Sequence, residues 1–156
     1  MLGRRHDIWN GSERRSRALV LIVNEDPRAC EMLVRMVATR GYETVGATSD
    51  DDAGSQIVGR LPRCVVLDVH AGGVGTNLKL LDKIRSHDDR RINTARVVLC
   101  AASPKNRSFS FQSGADGFLV RPFHLDELVA QVSDVLGRAH QDRARHRRDE
   151  LIRHGD

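Results

Sequence analysis

Between residues 18 and 137, short aliphatic runs alternate five times with apolar patterns of helical period, and few topologies accommodate that order. The runs at 18–23 (ALVLIV), 42–47, 63–67 (RCVVL), 96–101 (RVVLCA) and 117–120 are too short for stable helices and suit strands. The first is uninterrupted by polar residues, as in a strand buried on both faces. Asp26-Pro27 follows it, a capping residue and then a proline at a first helical position. Ala29, Leu33, Met36 and Val37 recur at helical spacing until Gly41. Residues 50–60 form a weaker helix with Ala53 and Ile57 on one face, and Leu78, Leu81 and Ile84 mark a third after a glycine-rich loop at 72–75. Ser103-Pro104 can start a fourth, but Phe109 and Phe111 stand two apart and serines interrupt, so that helix is expected to be short. Leu125, Leu128, Val129, Val132, Val135 and Leu136 trace the clearest stripe. Nothing after Gly137 breaks that helix, so it is expected to run on into the arginine-rich end.

Regular β-α alternation calls for a parallel sheet with right-handed crossovers and helices on both faces. The expected fold is α/β, a flavodoxin-like (βα)5 doubly wound sheet in the order 2-1-3-4-5. Ligands of such sheets sit at the carboxyl ends of the strands, beside the switch between strands one and three. Acids stand there. Strand one runs into Asn24-Glu25-Asp26 and strand three ends at Asp68, so Glu25 and Asp68 can converge on one pocket. Carboxylate oxygens suit Mg2+, which keeps several waters. Asp68 could attack a phosphoryl donor, and Arg121, at the end of strand five, could balance the phosphoryl charge. Asp26 is read as a helix cap only.

Three stretches, VLIVNEDP, CVVLDVH and GADGFLVRPF, carry a resemblance to the receiver domain of two-component response regulators over roughly residues 18–137. The resemblance implies phosphotransfer from a histidine kinase or phosphotransfer protein to Asp68. It also implies a Mg2+ site from Glu25, Asp68 and the backbone carbonyl of His70, with Asn24 assisting through water. Arg121 stands where the family has a lysine as counter-cation. Ala101 and Phe118 stand at the switch positions, and downstream proteins would dock on the face of the fourth helix, fifth strand and fifth helix. Several positions depart from the family pattern. Asn24 replaces the first acid, Glu25 stands where aspartate is the rule, and none of Leu99, Cys100 or Ala101 offers the hydroxyl usual at the end of strand four. These departures predict weak or absent Mg2+ binding and leave two readings open. One is an atypical, stand-alone phosphoacceptor. The other is a phosphorylation-independent pseudo-receiver that acts as a protein-interaction module. No enzymatic activity is expected beyond autophosphorylation by phosphotransfer to Asp68.

At 156 residues the chain fits one domain, with a basic tail at 1–17, the receiver at 18–137 and an Arg/His-rich extension at 138–156 that could be helical. The formal charge of +4 belongs to those ends, because residues 18–136 are close to neutral. The ends are read as solvated tails. Nucleic-acid binding through them is a third, disfavoured reading, since aromatics are not interleaved with the arginines. Cys30, Cys64 and Cys100 stand far apart among aliphatic neighbours, which points to a reducing cytoplasm. No apolar run reaches the ~20 residues of a membrane span, and the polar N-terminus has no signal-like segment. The run Gly72-Gly73-Val74-Gly75 fits neither phosphate-loop pattern. Homodimerisation through the last helix is left open.

Overall fold

The computed structural model describes residues 18–68 and 73–153, and the side chains of 73–77 lie outside that description. The strands are β1 (Leu19–Val23), β2 (Glu43–Ala47), β3 (Cys64–Asp68), β4 (Arg96–Ala101) and β5 (Gly117–Val120). They form one all-parallel sheet in the order β2-β1-β3-β4-β5. The helices are α1 (Pro27–Ala38), α2 (Asp50–Arg60), α3 (Gly73–Arg85), α4 (Arg107–Gln112), α5 (Leu125–Gly137) and α6 (His140–Arg153). Single helical turns at Arg90–Asn93 and Pro104–Asn106 lead into β4 and α4.

Strand alternation builds two apolar layers. Leu21, Val65, Leu67, Leu99 and Phe118 face α2, α3 and α4, meeting Ile57, Leu81, Ile84 and Phe111. Val20, Ile22, Val66, Val98 and Leu119 face the other way, onto Leu33 and Val37 of α1 and Leu128, Val132 and Val135 of α5. Each fully buried Leu or Val contributes about 1.5–3 kcal/mol relative to exposure. With both faces covered, the central strands need no alternation of polar residues, which accounts for the uninterrupted aliphatic runs. Asp26 caps α1, its Oδ1 accepting from the Arg28 amide at 3.0 Å. Phe109 and Phe111, two apart on α4, part company: Phe111 enters the core and Phe109 faces solvent.

Three expectations need correction. The third helix starts at Gly73, within the glycine run. The fifth helix does not run on past Gly137: Arg138 is extended, with φ −81° and ψ 129°, and a separate helix starts at His140. The break has a partner, because Arg96 Nη2 donates to the Arg138 carbonyl at 2.9 Å and draws it away from a helical ladder. Residues 140–153 are also not a solvated tail. Arg143 and Glu150 are buried, and Leu151 packs against the core layer that holds Phe111 and Phe118.

Candidate functional site

Asp68 ends β3 at the carboxyl edge of the sheet, beside β1 and in register with Cys100 of β4. Its carboxylate is only 3% exposed, and each oxygen has its own partner. Asn24, fully buried just after β1, donates Nδ2 to Asp68 Oδ2 at 3.0 Å. Arg121, just after β5, donates Nη1 to Asp68 Oδ1 in a close ion pair. A buried carboxylate is tolerated when it is paired and hydrogen-bonded in this way. Asn24 is itself fixed, because its Oδ1 accepts the Asp26 amide at 2.9 Å. The asparagine expected to assist a metal through water thus bonds Asp68 directly. The Arg121–Pro122 peptide is cis.

Glu25 follows Asn24 and faces solvent. His70 lies outside the described residues. Among the described residues no three His, Cys, Asp or Glu side chains gather as a metal cluster. Asp68 ends β3 and Glu25 stands two residues after β1, and Mg2+ is usually held by one or two carboxylates with waters completing its shell. Ala101 is buried, and its carbonyl accepts the Arg121 amide at 2.8 Å. Cys100, opposite Asp68, is sealed in the sheet. Burial, and then the charge of Asp68, push its thiol well above the ordinary range.

Phe118, on β5, is buried. The Arg107 guanidinium from α4 lies 5.6 Å from its ring centroid and 5.7 Å from that of Phe111. The same guanidinium reaches Glu150 of α6 at 3.2 Å. Phe118 is thus held under a cation that also anchors the C-terminal helix.

A second buried carboxylate, Asp116, stands just before β5 and is 1% exposed. It accepts from Arg85 Nη2 at 2.9 Å, from Arg143 Nε at 2.8 Å and Nη2 at 2.9 Å, and from the Val97 amide at 3.0 Å. Arg147 approaches to 3.4 Å. Burial alone would raise this carboxyl; the Arg143 hydrogen bond and charge, followed by Arg85, outweigh it and hold the group below the usual carboxylate range. Arg85 is pushed down to about 10 by burial, against the attraction of Asp116, with Arg143 and Arg147 adding repulsion. Its guanidinium also binds the Gly114 carbonyl at 2.8 Å and that of Ala95 at 2.6 Å. Gly114 has φ +104°, and a Cβ there would meet Arg85 Nε at 3.1 Å, so the Gly-Ala-Asp turn needs its glycine.

Of the residues expected at one site with Asp68, Asn24 and Arg121 contact it, whereas Glu25 faces solvent and His70 lies outside the described residues. The sequence reading missed the Asp116 cluster and the Arg107–Glu150 contact. Arg143 and Arg147 sit four apart, a spacing that puts them on one helix face, but nothing in the sequence tells a buried face from a solvated one.

A doubly wound parallel sheet in the order 2-1-3-4-5, with a buried, paired aspartate at the β1/β3 switch point and a cation from the end of β5, defines a flavodoxin-like switch-point architecture. The chain belongs to the response regulator receiver domain family, whose model matches residues 20–133. It is 30% identical over 123 residues to the transcriptional regulatory protein PrrA of Mycobacterium tuberculosis, covering 76% of this chain and 50% of that protein. The chain thus spans about half the length of the curated relatives it matches. Among solved structures, a putative response regulator from Chloroflexus aurantiacus superposes with a TM-score of 0.68 at 29% identity, over 78% of this chain and 99% of that one. The Thermotoga maritima response regulator TrrA, solved in complex with Mg2+-BeF, gives a TM-score of 0.63 at 26% identity, over 75% and 97%. The chain is a receiver domain of two-component signalling. Among the described residues, no helix is long and apolar enough to cross a membrane.

Proposed function

We propose that this chain is an atypical receiver in which Asp68 is the phosphoacceptor and Arg121 the counter-cation, working in the cytoplasm with a histidine kinase or phosphotransfer protein as donor. The carrying observation is the contact of Arg121 with Asp68 Oδ1 at the carboxyl end of β3. Asp68 Oδ1 would be the attacking atom, forming an O–P bond as the donor's bond to phosphorus breaks. The Arg121 guanidinium would then turn to the phosphoryl oxygens, offering a planar fork where an ammonium would offer a point charge. Asn24 would hold Oδ2 and orient the carboxylate. Glu25, Asp68 and the His70 carbonyl would hold Mg2+, which when bound supplies charge neutralisation for the transferring group. With one acid fewer at Asn24, its affinity would be weak.

The test is intact mass after incubation with Mg2+ and a small-molecule phosphodonor, with Asp68→Asn alongside. A metal-dependent phosphoryl adduct lost in the variant is expected. Its absence overturns the reading in favour of the second one, a phosphorylation-independent pseudo-receiver. One observation favours that alternative: both oxygens of Asp68 are already held by protein donors. It predicts partner binding that is the same for Asp68→Asn as for the native chain. The chain would divide into a basic tail at 1–17, the receiver body and the C-terminal extension, and downstream proteins would dock on the α4-β5-α5 face.

A further inference from the structure

The flank of the sheet made by α4 and β5 is not bare. α6 lies along α4 and meets the body at two places. At its first turns, Arg143 and Arg147 converge on Asp116, and Arg143 also donates Nη1 to the Thr94 carbonyl at 2.7 Å. His146, between those arginines, stands edge-on to Phe111 at 6.0 Å, and two turns after Arg143, Glu150 meets Arg107 and Leu151 packs against the core.

Three features set α6 apart from the other helices. Its two buried residues are charged, Arg143 and Glu150, so it is held by ion pairs more than by apolar area. It is joined to α5 by only Arg138 and Ala139, with Arg138 extended. The body keeps part of its own pairing without it. Asp116 Oδ2 retains Arg85 and the Val97 amide if α6 leaves, while Oδ1, which accepts from Arg143 and Arg147, passes to water together with those arginines. Three guanidiniums around one carboxylate also repel one another, which lowers the cost of letting two of them go. The upper anchor is imperfect, because Arg107 Nε is buried without a hydrogen-bond partner.

We propose that the α4–β5 flank is a docking surface for an arginine-bearing amphipathic helix, that α6 is its occupant in cis, and that α6 detaches as a unit. While docked, it covers Phe111 and the Arg107 cation above Phe118, so a partner using this flank must displace it. The surface selects its helix by chemistry. The acid Asp116 takes arginines four apart, and the cation Arg107 takes an acid three residues after the second arginine, with an aliphatic residue next to it. This inference does not rest on phosphorylation of Asp68.

The test uses the full chain and its Arg143→Met variant, with hydrogen exchange as one readout. The other is binding of a fluorescent peptide of residues 138–153 added in trans. The expected result is at least tenfold faster exchange across 140–153, with unchanged protection in β1, β3 and β4. The peptide should also bind the variant at least tenfold tighter than the native chain. Unchanged exchange in α6, faster exchange spread through the sheet, or no gain in peptide binding would each overturn the proposal. If Arg143→Met does not fold, Arg147→Met, which removes the more exposed arginine, is read by the same criteria.

Discussion

Asn24 and Asp68, 44 positions apart in the chain, share a 3.0 Å hydrogen bond across the boundary between β1 and β3. That amide stands where the family pattern has a carboxylate, and it turns what would be a repulsion into a bond. The Asp68 carboxylate is thereby held by one amide and one guanidinium.

Asn24→Asp should therefore restore metal affinity at the expense of metal-free stability. Two buried carboxylates in contact repel, and a lost hydrogen bond leaves desolvated oxygens, costing about 1–3 kcal/mol. Denaturant titrations with and without Mg2+ check this. The variant should be less stable than the native chain in chelator and recover on adding Mg2+, whereas the native chain should respond weakly.

Asp116→Asn should be among the most damaging substitutions. Removing the charge leaves Arg85 of the body with neutral carbonyl partners and frees the α6 arginines to water, and losing one partner of such a buried pair costs about 3–5 kcal/mol. A fall in the unfolding midpoint with the slope unchanged is the expected outcome of a urea titration.

The same residue sets a pH dependence. Its folded-state carboxyl lies below its unfolded value, so its contribution to stability is complete above the unfolded pKa of about 3.9 and is lost as pH falls through the folded one. Native Asp116 should give a stability loss beginning below about pH 4 that is missing from the curve of Asp116→Asn and therefore shows in the difference between the two. Unfolding free energies measured from pH 6 down to pH 3 would show it.

Gly46→Ala and Gly117→Ala should both destabilise, by different routes. A Cβ at 46 would stand 2.7 Å from Cys30 Sγ, in the packed layer between β2 and α1. At 117 it would stand 2.5 Å from Gln131 Oε1, the end of a longer side chain that can move. Overpacking costs about 1–3 kcal/mol, so Gly46→Ala should sit at the upper end and Gly117→Ala at the lower in thermal unfolding.

Cys30, Cys64 and Cys100 are buried thiols outside any disulfide, and burial is the largest influence raising each. All three should be silent to a thiol reagent in the native protein and react at the rate of unfolding. A fast phase for Cys64 or Cys100 would mean the central strands open locally.

Much of this molecule was legible from its residues in order. The aliphatic runs of β1, β3 and β4 can only be buried on both faces, and five of them alternating with helices leave one economical sheet. That placed Asn24, Asp68 and Arg121 at strand ends that the topology makes neighbours. What the sequence could not carry was the destiny of its charges. Arg145 and Arg148 of α6 are exposed, while Arg143 on the same helix is 4% exposed and ion-paired to Asp116. A periodicity of apolar residues announces a buried face, but a buried face made of arginine and glutamate has no such signature. It depends on where the opposite charges stand in three dimensions. The order of elements followed from hydrophobic pattern, a local property of the chain. The seating of α6 on Asp116 and Arg107 was decided by pairings 27 and 43 residues apart, because the free energy of a buried ion belongs to the pair and its surroundings rather than to either residue.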